Sequence, residues 1–178
     1  PDDLPAITAP FVDDLEIGDD NWISSGLWNR LPDNKRAHSG TYSWYYGNPA
    51  ARNYSDGKPN SGDLTTRPIS IPSEGYGLRF WYRYETESDG SIWDQRWVQI
   101  SENEAPFRNV LQLFDEVQNE WLQATLDLGS YAGKTIRIRF HFASLDQVAN
   151  ADFEGWYIDD LEVLQLTIPG CSDNDNTP

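Results

Sequence analysis

The chain has one cysteine, Cys171, no methionine and only two histidines, His38 and His141, among its 178 residues. A single cysteine excludes an internal disulfide, so the core must hold the fold, and Cys171 is left either to pair outside the chain or to open a linker. Two separated histidines exclude a His-rich zinc site, and no His-Glu-x-x-His helix is present. A Gly-x-Ser-x-Gly elbow is also missing, and the adjacency of His38 and Ser39 in a turn does not make a triad. Carboxylates are too abundant for any pair to stand out as a glycosidase pair, so the chain reads as non-catalytic. Basic residues are scarce: 13 Lys and Arg face 29 Asp and Glu, for a net charge of −16 and a pI near 4.2. That balance argues against nucleic acid and anionic membrane surfaces as partners and suits an extracellular, calcium-rich setting or a halophilic or marine one; its simpler reading is solubility. No apolar run reaches the roughly 18 residues of a membrane span and no signal-peptide pattern appears, so membrane insertion is not expected. The chain opens at Pro1 and reads as a piece of a longer protein.

Large rings offset the modest 38% hydrophobic content: 8 Trp, 9 Tyr and 7 Phe. They sit in alternating runs. Leu78, Phe80, Tyr82 and Tyr84 face one way while Arg79, Trp81, Arg83 and Glu85 face the other; Ile136, Ile138, Phe140 and Phe142 alternate with Arg137, Arg139 and His141. Period-2 runs near 8–17, 22–28, 41–47, 63–71, 76–86, 93–101, 107–114, 120–128, 134–145 and 155–166, separated by Gly, Pro, Asp and Asn turns, predict strands; no window predicts an amphipathic helix. The expected fold is all-β, a two-sheet antiparallel jelly-roll β-sandwich. A single domain is expected over 1–168, with its core at about 8–166 and a polar tail or linker at 169–178.

The hydrophobic phase slips within Gly155-Trp156-Tyr157-Ile158-Asp159-Asp160-Leu161-Glu162-Val163. Trp156 and Ile158 share one parity and Leu161 and Val163 the other, which requires a bulge at the Asp159–Asp160 pair. Near the N-terminus, Phe11-Val12-Asp13-Asp14-Leu15-Glu16-Ile17 reads as a strand. Asp14 and Glu16 would then share a face roughly 7 Å apart, with Phe11, Leu15 and Ile17 turned into the core. First and last strands are neighbours in many sandwiches, so Asp14, Glu16, Asp159 and Asp160, with backbone carbonyls of His38 and Ser39, form a candidate calcium site. Hard carboxylate and carbonyl oxygens suit Ca2+ rather than zinc. The alternative is that these acids are solvated charges on edge strands. A second acidic set, Glu85, Glu87, Asp89 and Asp94 with Asp146, Asp152 and Glu154, falls in segments that loops at one end of a sandwich can gather; a second cation site is one reading there, and solvated loop charge is the leading one.

Aromatic rings can stack on sugar faces while nearby polar groups bind hydroxyls. Trp81, Trp93 and Trp97 are the candidate ligand-binding rings; the alternative is core packing or burial under arginine.

Several blocks together resemble a known accessory domain: Asp13-Asp14-Leu15-Glu16, Gly26-Leu27-Trp28, Ala37-His38-Ser39-Gly40-Thr41-Tyr42-Ser43-Trp44-Tyr45-Tyr46-Gly47, Asn53-Tyr54-Ser55-Asp56-Gly57 and the closing Gly155 to Asp160. They look like the domain found C-terminal to secreted bacterial metallopeptidases of the immune inhibitor A type and in other bacterial surface proteins. That domain is similar to eukaryotic MAM domains, although MAM domains usually carry cysteine pairs. The resemblance spans about residues 10–165. It implies a jelly-roll sandwich without catalysis of its own and often with structural calcium. It also implies an accessory or adhesion role in a secreted or cell-surface bacterial protein. The partners would be the other domains of that protein, and glycans or a cell-surface protein. A carbohydrate-binding module using exposed Trp or Tyr is the alternative function.

Overall fold

The computed structural model describes residues 4–88, 91–114 and 117–166. Strands run in the order β1 (Ile7–Thr8), β2 (Phe11–Asp13), β3 (Trp22–Ser24), β4 (Trp28–Pro32), β5 (Tyr42–Tyr46), β6 (Ser61–Thr66) and β7 (Ile69–Ser70). They continue with β8 (Tyr76–Glu85), β9 (Gln95–Glu102), β10 (Arg108–Gln112), β11 (Leu122–Asp127), β12 (Thr135–Ala143) and β13 (Gly155–Gln165). Among the described residues there is no α-helix, only a short 3₁₀ turn at Gly129–Tyr131. The expected β-sandwich is the observed fold.

One sheet centres on β12, flanked by β9 and then β10 on one side and by β6 and β7, then β3 and β1, on the other. The second centres on β8 and β13, with β11 beyond β8, and with β2, β5 and then β4 beyond β13. All pairings are antiparallel except β1 with β7. The two sheets enclose an aromatic core. Phe140, Phe80, Trp156 and Trp28 are all buried, with Phe80 and Phe140 ring centroids 4.8 Å apart and Trp28 and Trp156 5.1 Å apart. Tilted and edge-on ring pairs of this kind fill volume with large side chains while keeping favourable quadrupole geometry.

The phase slip in β13 is a bulge. Asp159 pairs with Trp81 and Glu162 with Arg79, so Asp160 and Leu161 together oppose Phe80. Asp160 sits at φ +45°, a left-handed conformation that costs a non-glycine residue energy. Without the extra residue, Leu161 would meet Phe80 directly and the hydrophobic alternation would be unbroken. The core therefore does not require Asp160.

The N-terminal expectation is corrected in part. β2 pairs with β13 through Phe11 to Asp13, so first and last strands are neighbours. The strand ends at Asp13, however, because two Asx turns divert the chain: Asp13 Oδ1 accepts Leu15 N at 2.9 Å and Asp14 Oδ1 accepts Glu16 N at 3.1 Å. Leu15 is buried at φ +64°, and Ile17, expected in the core, is 97% exposed. Asp14 and Glu16 are thus not face-mates on a strand. The expected tail at 169–178, Cys171 included, lies outside the described residues.

Deleting Asp160 is expected to leave a cooperatively folding sandwich, judged by near-ultraviolet circular dichroism, with the 38–42 amides losing hydrogen-exchange protection. Phe140→Ala, by contrast, is expected to cost about 3–5 kcal/mol in urea unfolding.

Candidate functional site

The bulge aims two carboxylates at the 37–42 turn. Asp159, fully buried, accepts His38 N at 2.8 Å and Ser39 N at 3.4 Å on Oδ2, and Asp160 N at 2.8 Å on Oδ1. Asp160 takes the His38 ring through Nδ1 at 2.6 Å and the Ser39 hydroxyl at 2.8 Å. From the far side of the turn, Glu16 Oε1 accepts Thr41 N at 2.8 Å and Tyr42 N at 2.7 Å. Five of the six expected metal-site residues, Glu16, His38, Ser39, Asp159 and Asp160, therefore meet on one turn. Asp14 does not: its carboxylate serves its own Asx turn. The His38 and Ser39 groups recorded facing Asp159 are N–H donors, where carbonyls were expected.

Three carboxylates converge here on mostly neutral donors. Burial, then the neighbouring Asp160 charge, pushes the Asp159 carboxyl up to about 7, against the partial relief of the His38, Asp160 and Ser39 amides. Among the described residues no group of three or more His, Cys, Asp and Glu side chains is placed to hold a metal by itself, so a cation here would need backbone carbonyls or water as well. The turn is no hydrolase site either. Ser39 and His38 both bond to Asp160, so the imidazole does not receive the serine proton.

The same turn covers the outer face of the second sheet. The His38 ring stacks on Trp81 with centroids 3.9 Å apart and planes at 16°. Trp121 packs edge-on to His38, at 5.5 Å between centroids. Beside them the Tyr45 and Tyr157 rings stack at 4.6 Å, and both are buried. Glu154 pairs with Arg36 and Arg83 and accepts the Tyr157 hydroxyl, while Arg52 bonds to Asp33. Trp81 is outward-facing as expected, but one of its faces is already occupied.

The outer face of the first sheet is different. Register places Gln112, Trp97, His141 and Asp63 in one row across β10, β9, β12 and β6, and Asn109, Gln99, Arg139 and Thr65 in the next. Residues directly opposite one another share a face. Trp97 is half-buried, donates its indole N–H to Gln95 Oε1 at 3.1 Å and makes no ring–ring contact among the described residues. His141 Nδ1 lies 2.6 Å from Asp63 Oδ1, Arg139 Nη1 lies 3.1 Å from Asp63 Oδ2, and Gln99 Nε2 donates to Asn109 Oδ1 at 2.8 Å. Burial alone would raise the Asp63 carboxyl, but the His141 hydrogen bond and the Arg139 and His141 charges outweigh it and hold it below the usual value. The result is the Trp97 ring bordered by fixed donors and acceptors, with the Arg139 guanidinium 3.5 Å over the Phe107 ring. Alternation had turned Arg139 and His141 outward; their meeting with Asp63 and Trp97 is visible only in the cross-strand register.

Trp93 lies outside β9, in a loop at the end of the sandwich, and is 42% exposed. Ile92, Phe114, Val117, Leu145 and Val148 are also exposed on the loops of that end. A separate concavity of about 520 Å³, between Leu4, Ala6, Asn103, Thr135 and Arg137, lies at the other end and holds none of the expected site residues.

No family model matches the chain, and no curated protein matches it. Solved structures do. The chain is similar to TmCBM61, a carbohydrate-binding module solved with β-1,4-galactotriose, at 18% identity and a TM-score of 0.56, over 83% of this chain and 90% of that one. It is similar to a cleaved adhesin domain of Lys-gingipain from Porphyromonas gingivalis, at 18% identity and a TM-score of 0.58, over 89% and 99% of the two chains. It also matches the glycoside hydrolase domain structure of Endo-D from Streptococcus pneumoniae at 16% identity and a TM-score of 0.57, over 83% of this chain but 22% of that one. These likenesses define the class of fold, a β-sandwich of the kind used by carbohydrate-binding modules and adhesin domains. Among the described residues no helix is long and apolar enough to cross a membrane.

In chelator, Asp159 is expected to work against stability at high pH. Its folded value of about 7 exceeds its ordinary 3.8, so between these values the folded chain binds a proton that the unfolded chain does not. The Asp159 contribution is fully present below about pH 4 and lost as pH rises through about 7. Carbon-detected NMR titration checks this; a carboxyl midpoint near 4 contradicts it.

Proposed function

We propose that this chain is a non-catalytic carbohydrate-binding module whose ligand lies along the outer face of the first sheet. The observation that carries the proposal is the row Gln112, Trp97, His141 and Asp63, a half-buried indole without a ring partner among the described residues, set between oriented polar groups. The apolar face of a sugar ring stacks on Trp97, and hydroxyls bond to Asp63, Gln99, Asn109 and Arg139. Trp93 extends the platform at the adjoining end; Trp81, under His38, takes no part. With a net charge of −16 the chain repels polyanions, so the ligand class is neutral oligosaccharide. The fold of the similar carbohydrate-binding and adhesin structures is compatible with this reading.

The module belongs to a larger secreted or cell-surface bacterial protein, in which it acts as a MAM-like accessory domain beside other domains. Calcium has a structural part in this reading. Three carboxylates gather on the 37–42 turn, with His38 as the one ionisable donor bonded to them among the described residues, and a cation held by Glu16 and Asp160, with carbonyls and water, would balance them. Ca2+ binding only the folded state would stabilise it by about 2.7 kcal/mol at a hundredfold excess over Kd.

Trp97→Ala is expected to abolish binding on an array of neutral glycans while leaving the unfolding midpoint within a few degrees of wild type; Trp81→Ala is expected to retain binding. A broad array without any binder would overturn the carbohydrate reading. Millimolar calcium should raise the midpoint of the wild type by several degrees over chelator and leave Asp160→Ala unmoved; an equal rise in that variant would remove the metal from this turn.

A further inference from the structure

The loop end of the sandwich holds a second set of oxygens that sugar binding does not use. Asp94 and Asn150 are both at 0% exposure, and Glu87 is half-buried. Asp94 Oδ2 accepts the Tyr54 hydroxyl at 2.7 Å and Glu87 N at 2.9 Å. Among the described residues the other oxygen, Asp94 Oδ1, is buried without a hydrogen-bond donor, as are Glu87 Oε2 and Asn150 Oδ1. The segments carrying these three atoms are tied to one another. Asp94 N donates to Ser144 O at 3.4 Å, and Ser144 Oγ and Asn150 Nδ2 both donate to Asp146 O, at 2.7 and 3.0 Å.

Buried polar atoms are ordinarily partnered, and a group of orphans calls for a physical account. Here all three are hard oxygens, two of them on carboxylates only seven residues apart in sequence. One cation is already present. Arg96 is buried, donates through Nη1 to Thr86 Oγ1 at 2.8 Å and Asp94 O at 2.9 Å, and lies 3.7 Å over the Tyr84 ring. Carboxylate and amide oxygens without sulfur or imidazole match calcium, which completes its shell with carbonyls and water. We propose that Glu87, Asp94 and Asn150 form a calcium site that fastens the segments around Glu87 and Asp94 to the 144–150 loop, separate from the Glu16–Asp160 turn.

The test is calcium titration of the chelator-stripped chain by calorimetry, with bound metal counted by mass spectrometry. Glu87→Gln and Asn150→Ala are each expected to weaken one calcium site at least tenfold, and Asp160→Ala to leave that site unchanged. Unaltered binding in both loop variants, or no bound calcium in the wild type, would overturn the proposal. Backbone-amide exchange of the wild type needs no variant to fold. Calcium should slow exchange in 86–88, 91–94 and 144–150, and identical exchange with and without the metal would also overturn the proposal.

Discussion

One inserted residue organises this molecule. β13 lies beside β8 on one edge and beside β5 and β2 on the other, so any irregularity in it is felt across the second sheet. The hydrophobic phase of the strand would run unbroken without Asp160. Its presence forces a bulge, places a non-glycine residue at positive φ and commits two neighbouring carboxylates to one turn. None of that serves the core. It serves the clasp in which Asp159 takes the backbone amides of His38 and Ser39, and Asp160 takes their side chains.

From the clasp follows the difference between the two outer faces. Once the 37–42 turn is drawn onto β13, His38 lies flat on Trp81 and the second sheet is roofed by tyrosines and by the ion pairs of Glu154 and Asp33. Two carboxylates, a guanidinium network and stacked rings bury one another there and leave little for a ligand. On the opposite face, His141 and one Arg139 nitrogen are tied to Asp63, and among the described residues the Trp97 ring is left without a ring partner. Fixed polar groups around an unstacked ring are what sugar recognition needs, because orientation is arranged before the ligand arrives. In the proposed reading, binding falls to the first sheet because the second is closed.

Alternation made the long strands legible. The runs around Phe80, Phe140 and Trp156 each bury one face in a two-sheet sandwich, and period 2 reports that directly. The bulge was legible too, because a break in parity has few other causes. Elsewhere local chemistry overrode the pattern. Asp13 and Asp14 each cap an Asx turn, so Ile17 leaves the core although its spacing placed it there. β4, Trp28–Pro32, went unrecognised as a strand of its own because it is an edge strand with little alternation and a proline at its end. The acidic turn was legible as a gathering of carboxylates, but not the direction of its backbone groups. Trp97 was a candidate ring from the sequence, but its polar border was not: Asp63 and His141 are 78 positions apart, and only register brings them together.

The most direct test of the account is NMR of the labelled chain titrated with neutral oligosaccharides, observing indole N–H and side-chain amide signals. The account predicts saturable shifts at the Trp97 indole and at the Gln99 and Asn109 amides, with the Trp81 indole unmoved. Shifts confined to Trp81 and its neighbours, or no shift with any sugar at millimolar concentration, would contradict it.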